Sequence, residues 1–290
     1  MTTRFLLSAL GTLSVLAVAS FGPGSAVQAA DKANKDARTY ELRVYTPNAG
    51  KQADVNALIS KSGTKYMAKH HIELVGAWVP MDKADERVFT LVAHKDKASG
   101  AKNWEAFQAD EGWKADLAEA SKNGRAVASI ARFFLEGTDY SPAVAPANVG
   151  DRIFELRTYI STPNNLVHLN ARFREHTVKL FEKHGMTNIA YFNLLDGEKT
   201  TVGELLKGCS AKGKDDCGVA ADTVAKPIGL VYFLSHKSTD AAKASFGKFV
   251  ADAEWKSALA ESEKKGGGSL TAKNAVKSLY LTATDYSPIR

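Results

Sequence analysis

Apolar and polar positions alternate along Tyr40–Thr46. Tyr40, Leu42 and Val44 fall on one face, and Glu41, Arg43 and Tyr45 on the other. That period predicts a strand. Over Asn48–Lys69 the period changes, with Val55, Leu58, Ile59 and Met67 at helical spacing. Ile72–Val79 and Val88–His94 are rich in β-formers and are joined by the polar turn MDKADE. Trp104, Phe107, Trp113 and Leu117 mark a second helix, and Ile130–Leu135 a last strand. The predicted order is βαββαβ.

The same order is then repeated. FELRTY at Phe154–Tyr159 answers YELRVY at Tyr40–Tyr45, a shift of 114 that also aligns Lys69-His70 with Lys183-His184. Past the third element the shift grows to 142, so that His94 meets His236 and Trp113 meets Trp255. The added residues form an insert at about 196–226 that holds Cys209 and Cys217. TDYSP closes each copy, at Thr138–Pro142 and Thr284–Pro288. Such internal repetition sets the domain plan: one domain over 38–142, a Pro/Ala/Gly linker over 143–151, and a second domain over 152–288.

A βαββαβ unit of the ferredoxin-like kind packs both helices on one face of its sheet and leaves the other bare. The expected fold class is therefore α+β, with two ferredoxin-like repeats closing face to face into an intrachain dimeric α+β barrel. In this reading Tyr40, Leu42 and Val44 meet the helices. The set Glu41, Arg43, Tyr45 and its copy Glu155, Arg157, Tyr159 then line the shared interior of the barrel.

The first residues follow another logic. Arg4, an apolar run and a small-residue exit describe a signal peptide over residues 1–29, cleaved after Ala29. The protein is expected to be secreted or periplasmic, without stable membrane insertion after cleavage. Losing Arg4 takes the formal charge of +6 down by one, with no basic block left, which argues against a nucleic-acid partner. In an oxidising compartment the pair Cys209 and Cys217 reads as one disulfide rather than a metal site, since no histidine stands near them.

The stretches YELRVYTPNAGK, FELRTY and LFEKHGMTNIAYF, with the D-x-x-W of the second helix, resemble the NIPSNAP family over essentially Arg38–Pro288. The resemblance implies the dimeric α+β barrel superfamily, here in tandem. That superfamily includes cofactor-free oxygenases and haem-handling enzymes. The first copy departs from the family helix, with Ser60, Ser62 and Gly63 where the second has Arg174, His176 and Thr177. It also reads His70-His71 where the second has His184-Gly185.

For Glu41/Arg43 and Glu155/Arg157, structural ion pairing stands beside a binding role in which an arginine fork grips the acidic group of a small ligand. Tyr45 and Tyr159 would add hydroxyl groups to such a site. His70 and His184 suit a helix C-terminus. His94 and His236 read as solvated strand-end residues or ligand contacts. His176 and His184 are the candidates for acid/base work, and His176 also for haem ligation. Trp113 and Trp255 read as core. G-x-S-x-G, H-E-x-x-H and C-x-x-C-H are all absent from the sequence, so hydrolase and covalent-haem chemistry have no motif to rest on. The expected function is a small-ligand-binding or non-catalytic barrel protein of the cell envelope. The alternative is a small-molecule oxidoreductase, a cofactor-free monooxygenase or one with non-covalent haem. The cofactor is otherwise unassigned, and a homo-oligomer through the repeats is left open.

Overall fold

The alternating segments become eight strands: β1 Thr39–Pro47, β2 Glu73–Pro80, β3 Val88–His94, β4 Val127–Gly137, β5 Ile153–Ser161, β6 Thr187–Leu194, β7 Gly229–His236 and β8 Thr271–Ala283. They come from a computed structural model that describes residues 36–195 and 229–290. The leader, Cys209 and Cys217 lie outside the described residues. The strands form one closed barrel in the order β1-β3-β2-β8-β5-β7-β6-β4. Every pairing is antiparallel. Within each half the order is fourth, first, third, second. The halves join where Trp78–Pro80 of β2 meets Leu281–Ala283 of β8, and where β4 meets β6 through Leu135–Gly137.

Helices cover the outside. In the first half α1 Gln52–Leu58 and α2 Thr64–Lys69 run as one rod through the π-helical turn Ile59–Gly63. The second half repeats this with α5 Leu166–Arg172, the π turn Phe173–Thr177 and α6 Val178–Lys183. The predicted second helix is two helices, α3 Lys97–Ala109 and α4 Glu111–Ala120. The break is chemical: Asp110 turns its backbone extended, and its carboxylate accepts from the N–H groups of Gly112 and Trp113. Asp252 parts α7 Thr239–Ala251 from α8 Ala253–Gly266 in the same way.

The barrel interior is apolar, and this reverses the expected direction of the sheet faces. Tyr40, Leu42 and Val44 point inward with Trp78, Phe89 and Phe133, against Phe154, Phe192 and Phe233 of the other half. Trp78 stacks on Phe233 at 4.8 Å between centroids, and Tyr40 lies 4.8 Å from Phe192. An eight-stranded barrel is just wide enough to be filled by side chains, and these large rings fill it. Gly76 is required here, because a Cβ at that position would lie 2.0 Å from the Trp78 ring. The opposite strand faces, with Tyr45 in one half and Tyr159 in the other, meet their own helices in two separate cores.

TDYSP has a structural task. Thr138 N donates to Tyr191 O at 3.0 Å, and Tyr191 N donates to Ser141 Oγ at 3.0 Å. The Tyr140 hydroxyl donates to Asn170 Oδ1 at 2.6 Å. Its twin does the reverse: Thr284 N to Ala77 O at 3.0 Å, Ala77 N to Ser287 Oγ at 2.9 Å, and the Tyr286 hydroxyl to Asn56 Oδ1 at 2.8 Å. Each phrase therefore clasps the other half. The segment 143–151 joins in, with Val144 buried in the barrel core and Ala147 bridged to Ile289.

Candidate functional site

β1 places Glu41 and Arg43 beneath α3. Glu41 is 1% exposed, and its Oε2 accepts from Trp104 Nε1 at 2.7 Å and lies 3.3 Å from His94 Nε2. Burial pushes the Glu41 carboxyl up. The His94 hydrogen bond, the Arg43 charge and the Trp104 N–H outweigh it and hold the group below its ordinary range. Arg43 Nε stands 3.4 Å from Glu41 Oε1 without hydrogen-bond geometry, and its guanidinium carbon lies 3.7 Å from the Trp104 ring centroid. Among the described residues no acceptor bonds this buried Nε. Thr90 Oγ1, on the position of β3 facing Arg43, is also buried without a partner.

Arg43 borders a cavity of about 240 Å³ between the sheet and the helices. Its walls are apolar: Tyr45 from β1, Val55 and Leu58 from α1, Met67 from α2, Trp104 and Phe107 from α3, Trp113 and Leu117 from α4. The π turn contributes Ile59 and Gly63. Such turns recur at functional sites because the wider turn re-aims its side chains. Exposed Leu117 and Ile130, with Arg125, stand at the rim. The volume falls a little below the usual range of ligand sites, which runs from about 300 to 1,000 Å³.

In the second half the same strand positions are fully engaged. Glu155 Oε2 meets His236 Nε2 at 2.8 Å, and its other oxygen takes Arg157 Nη1 at 2.6 Å and the Ser278 hydroxyl. Burial again raises this carboxyl, and again His236, the Arg157 charge and Ser278 bring it below its ordinary range. Arg157 gives Nε to the Tyr232 hydroxyl at 2.9 Å and Nη2 to the Tyr159 hydroxyl at 3.1 Å.

The two sets Glu41, Arg43, Tyr45 and Glu155, Arg157, Tyr159 therefore do not share an interior. Each sits under the helices of its own half, where Trp104 bonds Glu41 and the tyrosine hydroxyls bond Arg157, while the barrel interior is apolar. His94 and His236 are not solvated strand ends: both are buried against the β1 and β5 glutamates, at 2% and 1% exposure. His184 meets neither arginine. Its Nε2 lies 2.8 Å from Asp252 Oδ2, as His70 Nε2 lies 2.7 Å from Asp110 Oδ2, so both tie a first helix to the cap of the second. His176 is half-exposed, 3.9 Å from Glu254, and lines a separate space of about 30 Å³. Trp104, Gly63, Met67 and Thr90 were not singled out as site residues. The signal for Gly63 was its mismatch with Thr177 between the copies.

Non-covalent haem does not fit this cavity. A haem is larger than a space of about 240 Å³, among the described residues no histidine or cysteine lines it, and His94 Nε2 is turned to Glu41. Among the described residues no group of three metal-ligating side chains gathers.

The NIPSNAP family model matches residues 40–142. No curated protein matches the sequence. Among solved structures, an anthrone oxidase-like protein is 13% identical, with 87% of this chain and 94% of that one covered at a TM-score of 0.50. A monooxygenase candidate from Lactobacillus acidophilus NCFM is 8% identical, covering 86% and 94% at 0.48. A NIPSNAP family protein from Agrobacterium tumefaciens str. C58 is 22% identical, covering 36% of this chain and 97% of its own at 0.33. The first of these likenesses speaks to the fold alone. Residues 40–142 of this α+β barrel are thus similar to the NIPSNAP family, whose model they match.

Proposed function

We propose that the protein is an exported small-ligand-binding barrel of the cell envelope, and that its ligand occupies the cavity of the first half. The observation that carries this reading is Arg43, a buried guanidinium that lines an apolar cavity of about 240 Å³. A cation buried against apolar walls is costly unless paired, and an acceptor on a bound ligand would add to the pairing that Glu41 supplies at 3.4 Å. The leader sequence supports export, and the shared strand order of the halves supports two ferredoxin-like units acting as an intrachain dimer. Native mass spectrometry of the exported, purified chain tests the reading: a small compound should be retained, and Arg43→Gln should release it. Retention unchanged in Arg43→Gln, or an empty chain that no small ligand stabilises, would count against it.

The oxidoreductase reading draws on the same cavity and on the names of the monooxygenase candidate and the anthrone oxidase-like protein. It would be cofactor-free, with Arg43 holding the substrate. Oxygen uptake by the purified chain in the presence of its retained compound would favour it over plain binding.

A further inference from the structure

The two halves fill matching positions with side chains of different size. Thr90 faces Arg43 across β1 and β3, where Tyr232 faces Arg157. Ala77 pairs with Thr90, where Tyr191 pairs with Tyr232. On the helices Ile59, Gly63 and Met67 stand where the second half has Phe173, Thr177 and Phe181. Each of the five is larger in the second half. The Tyr232 ring is enclosed by Tyr191 at 5.1 Å, Phe173 at 5.3 Å, Tyr159 at 5.4 Å and Phe181 at 6.2 Å. The first-half counterparts of the last three are Ile59, Tyr45 and Met67, and all three line the cavity. Three of the four rings that enclose this phenol in the second half thus answer to residues around open space in the first, although Thr90 and Ala77 themselves are fully buried, and the phenol hydroxyl sits on the arginine Nε.

We propose that the first-half cavity takes a small phenolic compound, its ring among Tyr45, Ile59 and Met67 and its hydroxyl oxygen accepting from the Arg43 guanidinium. The second half carries this ligand covalently, as Tyr232. The proposal rests on the cavity being a ligand site and adds the chemical class. A neutral hydroxyl suits the place better than a carboxylate, because Glu41 already sets one buried negative charge 3.4 Å from Arg43 Nε. A second would repel it in a medium that screens poorly.

Isothermal titration of the full chain with 4-ethylphenol, ethylbenzene and 4-ethylbenzoate tests this. One 4-ethylphenol should bind per chain, about ten- to a hundredfold tighter than ethylbenzene, the worth of one hydrogen bond to a charged group. Thr90→Tyr should abolish that binding and raise the melting temperature, since it supplies the ring from within. Equal affinity for ethylbenzene, or unchanged binding in a folded Thr90→Tyr, overturns the proposal. Tighter binding of 4-ethylbenzoate overturns the phenol class and leaves the cavity as a site for acids. If no probe binds and the purified chain retains no compound, the cavity reading falls with it.

Discussion

His71 shows how one residue carries strain that its copy avoids. Both His71 and Gly185 follow a helix in the left-handed region, at φ of 56° and 79°. A side chain there costs roughly 1–2 kcal/mol, partly offset because glycine loses more freedom on folding. His71→Gly should therefore stabilise the protein by up to about 1 kcal/mol, read as a higher denaturant midpoint with an unchanged slope. The buried glutamates set the acid limit. Glu41 and Glu155 lie below the ordinary 4.5 in the folded chain, so the unfolded chain takes up their protons first as pH falls. Their contribution is full above that ordinary value and is lost as pH drops through the folded one. Urea midpoints between about pH 7 and pH 3 should fall with acid, and less steeply in Glu155→Gln. At this scale the sequence set Glu41, Arg43 and Glu155, Arg157 apart from the apolar positions of β1 and β5. It misjudged His94 because the charged run after it reads as solvent-facing, whereas α3 packs on its ring closely enough that a Cβ at Gly100 would sit 2.9 Å away.

Among the elements, the strands were legible and their inward face was not. Alternation separates two faces, but it does not say which one is enclosed when both are buried. Here the polar set is the one under the helices, a choice that depends on Trp104 reaching Glu41 from 63 residues away. The break at Asp110 was equally hidden, since the hydrophobic spacing of Phe107, Trp113 and Leu117 runs across it. Asp110 caps α4 and receives Lys69 at 2.6 Å and His70 at 2.7 Å, and α4 is a wall of the cavity. Asp110→Ala should lower the melting temperature and weaken ligand retention together. Asp252→Ala, its twin beneath the filled half, should lower the melting temperature with retention intact. Differential scanning calorimetry beside native mass spectrometry would separate the two effects.

Over the whole molecule, the repeat and the closure of the barrel within one chain followed from the sequence, because TDYSP and the ELR strands recur in order. The unequal interiors did not, because side-chain volume at paired positions has meaning only once the register is fixed. The second half packs Tyr232, Phe173, Phe181 and Tyr191 into one continuous aromatic core, and dispersion grows with such contacts. Amide exchange should accordingly be slowest in β5–β7 and faster in β1–β3, with the gap narrowing when ligand is bound. Equal protection in the two halves of the ligand-free chain would contradict this account.

The reciprocal clasp has a further consequence, for how such a molecule can change over generations. In a dimer of identical subunits every substitution strikes twice, so a residue that fills a cavity to harden the core also erases both sites. Here the halves hold each other through Thr138–Ser141 and Thr284–Ser287, yet each is encoded separately. One can become ballast while the other stays hollow. A tyrosine at position 232 strengthens the assembly without touching the space beside Arg43.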